Sequence, residues 1–154
     1  MISVDSAGEL SAHVGSLLGR SDWYVLSGER IAQFGDLTGD RHWMHTDRDR
    51  ARSEGPFGDV IAHGFFLLSL VTGLGNACYE ITAASRWINY GLDRVRFTSP
   101  VVAGQAIRLA LTLNAVEATQ GGHRLNLGCE LELQGCARPA LVADWLVQVE
   151  EVAA

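Results

Sequence analysis

The run Thr38-Gly39-Asp40-Arg41-His42-Trp43-Met44-His45-Thr46-Asp47 gathers carboxylates and imidazoles around a glycine, and His63-Gly64 follows eighteen residues after His45 at the head of an apolar segment. A carboxylate, an imidazole and free backbone donors are the parts that move a proton on and off water while a developing negative charge is held. Asp40 and His45 lie five apart, about 140° around the axis of a regular helix. A loop or an irregular turn therefore has to bring them together. Once there, they can hold one water between them, because an imidazole with its ordinary pKa of about 6.5 takes and returns a proton around neutrality. The competing reading makes Asp40 a helix cap and His45 a plain surface residue.

Gly64 adds an anion-stabilising element. The first N–H groups of a helix lack internal partners and carry the positive end of its dipole, and the missing Cβ lets a ligand carbonyl come close. Close packing of the helix on a sheet would equally call for glycine there. His63 is a secondary candidate, a second base or ligand contact against a hydrogen-bonded structural histidine. Thr72, two turns after Gly64 and near the same face, offers a hydroxyl that steadies the site or simply bonds its own backbone. His42-x-x-His45 with Asp40 and Asp47 falls short of a metal site, since it places only two histidines in one loop and a protein site needs at least three well-placed ligands. Gly73-x-Gly75 is no dinucleotide fingerprint, and no nucleophile elbow or P-loop is present.

These residues need a scaffold. Leu10, Val14, Leu17 and Leu18 repeat at helical spacing with Gly19 as a stop. Trp23 to Leu26 reads as a short strand. Ser27 caps a helix whose buried stripe is Ile31, Phe34 and Leu37 and whose end is Gly39. From Gly39 to Gly58 the apolar period vanishes into loop, apart from a single turn at Asp47 to Arg52. Ala62 to Cys78 is apolar on most faces and predicts a central helix wrapped by other structure. The last third changes to a period of two. Trp87 to Phe97, Ile107 to Leu113, Leu125 to Leu133 and Leu141 to Val149 predict four strands, with turns at Gln120-Gly121-Gly122 and Gly135 to Pro139. One early and four late strands around one buried helix describe an α+β domain, an antiparallel sheet curled around a central helix, spanning 1–154. Long strands of this kind leave an open edge, and a second copy of the chain is a natural cover, which predicts a homodimer.

Composition narrows the function. With 154 residues, 47% hydrophobic and 19% charged, the chain suits one folded domain. The polar residues and glycines within Val60 to Tyr79 make a poor membrane span, and Asp5 and Glu9 precede any long apolar run, so no secretory signal is expected. A cytoplasmic location follows, without a membrane partner. Three cysteines with no C-x-x-C pair predict buried thiols rather than a disulfide framework. A net charge of −6 with scattered arginines excludes a nucleic-acid partner.

Gly39-Asp40-Arg41-His42-Trp43-Met44-His45 resembles the Gly-Asp-x-Asn-Pro-hydrophobic-His signature of the MaoC-like, hydratase-2 group of hot-dog proteins. The blocks Gly55 to Phe65 and Phe97-x-x-Pro100-Val101 also match, so the resemblance covers about half the chain. His42 and Trp43 stand where the signature has Asn-Pro, and a tryptophan there is similar to the branch of nodulation protein N. The resemblance implies a hot-dog fold and reversible syn hydration of a trans-2-enoyl thioester to the (3R)-hydroxyacyl thioester, carried on coenzyme A or an acyl carrier protein. Asp40 and His45 would be its catalytic pair, Gly64 its N–H donor to the thioester oxygen, and Thr72 a supporting hydroxyl, in a pocket near a subunit interface. No cofactor beyond the coenzyme A of the substrate, and no metal, is implied. A thioesterase on the same fold is the nearest rival, although many of these carry an acid on the central helix and Ala62 to Tyr79 has none. A noncatalytic acyl-thioester-binding module is the other.

Overall fold

The two-residue alternation of the last third builds the sheet. In the computed structural model, which describes residues 1–151, the long strands are β5 (Ala84–Phe97), β6 (Ala106–Thr119), β7 (Gly122–Leu133) and β8 (Leu141–Glu151). The early strands are β1 (Ile2–Val4), β2 (Leu17–Arg20) and β3 (Tyr24–Val25), with β4 at Tyr79–Ile81. The main sheet runs β2-β6-β7-β8-β5 with all its pairings antiparallel, and β3 also pairs with β6. β1 and β4 form a separate parallel pair. Leu109, Leu111, Leu113, Leu125, Leu127 and Leu131 are fully buried on the inner face. Each contributes about 1.5–3 kcal/mol by leaving water.

Four helices join them: α1 (Gly28–Thr38), α2 (Trp43–Thr46), α3 (Arg48–Glu54) and α4 (Gly64–Gly75). α4 lies against β6 and β8, burying Phe66, Leu67, Val71 and Gly75. Gly75 permits the close approach, since a Cβ there would sit 3.1 Å from the Trp145 ring. This is the helix packed on the inner face of a sheet that the hot-dog fold requires.

Several expectations change. The N-terminal periodic segment is not one helix: a 3₁₀ helix covers Ala7–His13, and Leu17–Arg20 is strand. Gly15, at φ +84°, breaks the period. Gly19 is a point of close approach rather than a stop, because a Cβ would lie 2.3 Å from the Cys78 carbonyl oxygen. Leu37 is 84% exposed, so the buried face of α1 is Ile31 and Gly35 with Phe34 beside them. The stretch from Gly39 to Gly58 holds two short helices where loop with one turn was expected. α4 ends at Gly75 and is covered on one side only, leaving Phe65 71% exposed and Thr72 open. β5 is the outer strand of the sheet, and Trp87, Ile88, Tyr90, Leu92 and Phe97 along it are exposed.

Candidate active site

Asp40 is placed by the end of α1. The Ser27 hydroxyl accepts from the Arg30 N–H at 3.3 Å and starts the helix. Gly39, left-handed at φ +81°, ends it, its N–H donating to the Gly35 carbonyl at 2.9 Å. The chain then folds back over Gly35, where a Cβ would meet the Asp40 carbonyl at 2.9 Å and Thr46 Cγ2 at 3.0 Å. His42, not Asp40, caps α2, its Nδ1 accepting from the Met44 N–H at 3.4 Å. The Trp43 ring lies under the Arg50 guanidinium at 4.6 Å. His42 and Trp43 thus hold a turn that still carries His45 back to Asp40.

His45 Nδ1 is 2.7 Å from the Ile61 carbonyl oxygen. A carbonyl only accepts, so Nδ1 carries the hydrogen and Nε2 keeps the lone pair. Ile61 is fixed in turn: its N–H donates to the Met44 carbonyl at 3.0 Å, and the Ala62 N–H donates to Val101 at 2.8 Å. Just upstream, Asp59 takes hydrogen bonds from Arg48 and Arg52, which project from α3 one turn apart, and from the Val60 N–H at 2.8 Å. Arg48 chiefly holds this carboxyl well below the usual carboxylate range, against the opposing effect of burial, with Val60 and Arg52 adding to it.

A carboxylate oxygen of Asp40 and ring nitrogens of His45 and His63 all lie within 4.8 Å of one another. Two hydrogen bonds of about 2.8 Å through one oxygen span such a gap, which is the separation a bridging water needs; Asp40 itself is exposed and stands outside the lining of the neighbouring cavity. A cavity of about 270 Å³ opens beside His45, lined by Ile61, Ala62, Gly64, Leu67 and Phe97. At the start of α4 the Phe66 and Leu67 amides donate to the His63 carbonyl, and among the described residues the Gly64 N–H donates to no protein group. The close-packing reading of Gly64 is met, since a Cβ would lie 2.9 Å from the Phe97 ring, and the residue stands at the cavity wall.

The other candidates separate. His63 is 3% exposed, and its Nε2–H donates to the Asp40 carbonyl at 2.9 Å. It backs the pair and does not line the cavity. Its ring stacks on that of His45, centroids 3.8 Å apart and 26° between planes. Lone pairs in two nearly parallel rings do not converge on one point, so this geometry disfavours a shared metal ion. Thr72 lies in two other cavities, of about 520 and 540 Å³, with Asn89 and Trp145. Within one chain it does not join the cavity of His45 and Gly64. Sequence reasoning missed the Ile61 carbonyl, for which no side-chain signal exists. It also missed the Asp59 clamp, for which Arg48 and Arg52 at helical spacing were a readable sign.

A profile described as MaoC like domain matches residues 9–127. The 3-hydroxyacyl-thioester dehydratase Z of Mycobacterium tuberculosis is 38% identical over 149 residues, covering 96% of this chain and 98% of that protein. Nodulation protein N of Rhizobium leguminosarum bv. viciae is 35% identical over 148 residues, covering 94% and 91%. Among solved structures, the R-hydratase PhaJ1 from Pseudomonas aeruginosa superposes with a TM-score of 0.77 at 20% identity, covering 96% of this chain and 87% of that one. With that profile over most of its length and relatives at 38% and 35% identity across nearly all of it, the chain belongs to the MaoC-like dehydratase family.

Proposed function

We propose that the protein is an (R)-specific hydro-lyase that adds water reversibly to a trans-2-enoyl thioester and gives the (3R)-hydroxyacyl thioester. One observation carries the reading: the Ile61 carbonyl leaves His45 with its lone pair on Nε2, and a ring nitrogen of His45 lies within 4.8 Å of an Asp40 carboxylate oxygen. A water between them loses a proton to the pair as its oxygen bonds to C3. The C2–C3 π electrons move toward the thioester oxygen, where the Gly64 N–H receives the charge. The pair then returns a proton to C2 from the same face. A preorganised donor at the oxyanion contributes about 3 kcal/mol to such a step. Hydration changes no oxidation state, and the reading calls on no redox group or resident metal; coenzyme A enters only as part of the substrate.

The name of the mycobacterial relative supports an acyl thioester substrate. Homodimerisation and a cytoplasmic location belong to the same reading. The open edge of β5 with its exposed side chains supports the dimer, and a monomer in sedimentation at micromolar concentration would overturn it. Three free thiols, and the absence among the described residues of a helix long and apolar enough to cross a membrane, accord with the location. Asp40→Asn and His45→Gln should each slow hydration of crotonyl-CoA by about a hundredfold or more with the fold intact. Near wild-type rates from either variant would remove the assignment. Release of free thiol would turn it toward a thioesterase, and α4 carries no carboxylate to support that chemistry. Binding without turnover would make it an acyl-thioester-binding module.

A further inference from the structure

His63 touches both members of the pair without reaching the cavity. Its Nε2–H holds the main-chain carbonyl of Asp40 at 2.9 Å, and its face lies on the His45 ring at 3.8 Å. The tilted Phe34 ring, 5.2 Å away, closes on it, and Phe34 is itself stacked on Phe66 of α4 at 4.9 Å. Gly35 leaves the room: a Cβ there would lie 3.4 Å from His63 Cε1 as well as against the Asp40 carbonyl. With Nε2 donating, Nδ1 holds a lone pair, and that atom is buried with no partner. A buried acceptor without a donor is unfavourable. An apolar residue at this place would avoid that penalty but would lack the N–H on Asp40.

His45 is anchored by one hydrogen bond, at Nδ1. A ring held by its Cβ–Cγ bond and one hydrogen bond still rocks about Cβ–Cγ within the tolerance of that hydrogen bond, which would move Nε2 relative to the water. A flat ring packed on its face removes that rocking. We infer that His63 is a positioning residue which sets the separation of Asp40 and His45, one edge fixing the acid's backbone and one face fixing the plane of the base. The inference rests on the functional reading given above for that pair. Its chemical content is geometric: His63 neither gives nor takes a proton from substrate.

The test uses His63→Gln, which keeps an N–H for Asp40 but no flat ring, His63→Phe, which keeps the ring but no donor, and His63→Ala, which keeps neither. Each is assayed for kcat and KM on crotonyl-CoA and for thermal unfolding. Carbon-13 relaxation of the His45 ring adds a readout of ring motion that is independent of turnover. The expected result is a fall in kcat of about tenfold for Gln and Phe and about a hundredfold for Ala, with KM within about twofold. In the wild type the His45 ring should relax as a fixed group, and in the Ala variant it should show added ring motion, with the Nδ1–H tautomer set by the Ile61 carbonyl kept in both. Folded variants with wild-type kcat, a loss confined to KM, or an Ala variant whose His45 ring stays as rigid as in the wild type would each overturn the inference. Should Ala fail to fold, the Gln and Phe variants decide by the same measures. A wild type that hydrates no enoyl thioester would refute the functional reading instead, and the ring-motion measurement would then decide the inference alone.

Discussion

Gly64→Ala makes the sharpest probe of the helix start, because its effect follows from one distance. The added Cβ would stand 2.9 Å from two carbons of the Phe97 ring, whereas carbon atoms in contact settle at about 3.5–4.0 Å. A gap of about 0.6 Å or more must therefore open. Phe97 cannot supply all of it. Its backbone is paired with Leu141 in the β5–β8 ladder, and its ring meets Phe65 edge-on at 5.9 Å. The rest falls on the first turn of α4 and moves the Gly64 N–H off the oxyanion. Misplacing a reacting group by about 1 Å lowers rates by about a hundredfold. A smaller displacement should lower kcat for crotonyl-CoA by about 10- to 100-fold, with overpacking lowering stability by about 1–3 kcal/mol. Steady-state hydration, followed by loss of enoyl absorbance on protein shown folded by circular dichroism, measures this. Phe97→Ala removes the obstructing Cγ and Cδ carbons, so Gly64→Ala with Phe97→Ala should recover most of the lost kcat. A Gly64→Ala enzyme within threefold of wild type, or a double variant as slow as the single, would refute the reasoning.

Asp59→Asn should loosen the segment that presents the Ile61 carbonyl and flatten the acid dependence of stability. The folded carboxyl is held below its unfolded value of about 3.9, so its stabilisation is present above about pH 5 and is lost as pH falls through 4 toward the folded value. The wild-type Tm should drop across that window more steeply than that of the variant. Thermal unfolding from pH 7 to 3 checks this, and parallel curves would refute it. Burial pushes the Cys78 thiol up to about 11 and the Cys129 thiol up to about 12, while Cys136 is exposed. An aromatic disulfide reagent at pH 8 should titrate one thiol in the native protein and three in denaturant; two or three fast native thiols would contradict the buried positions.

Much of this was legible because it rests on repeating side chains. The alternation from Ile107 to Val149 fixes which faces are buried, and a one-residue slip would turn Leu109, Leu111, Leu113, Leu125, Leu127 and Leu131 to the outer face. Ser27 and Gly39 bracket α1 through local chemistry that any sequence reader can see. Leu17 to Arg20 misled because leucines at helical spacing carry no record of Gly15's turn or of the Cys78 backbone waiting across from Gly19. α4 misled in the opposite way: hydropathy reports that a helix is apolar, not how many of its sides one chain can cover. Asp40, His45 and Gly64 were visible as residue types at a suggestive spacing. What brings them together was not, since it is a carbonyl at 61, a buried ring at 63 and a ring at 97, none of which neighbours the acid in sequence.

The proton bookkeeping of His45 is done by an amide oxygen, and that has a consequence for how such enzymes diversify. A codon change at position 61 swaps the side chain that walls the cavity while the oxygen stays where it was. Substrate fit and acid–base competence are therefore written in separate parts of one residue. Descendants of this chain are free to resize the cavity at 61 without resetting which nitrogen of His45 is protonated.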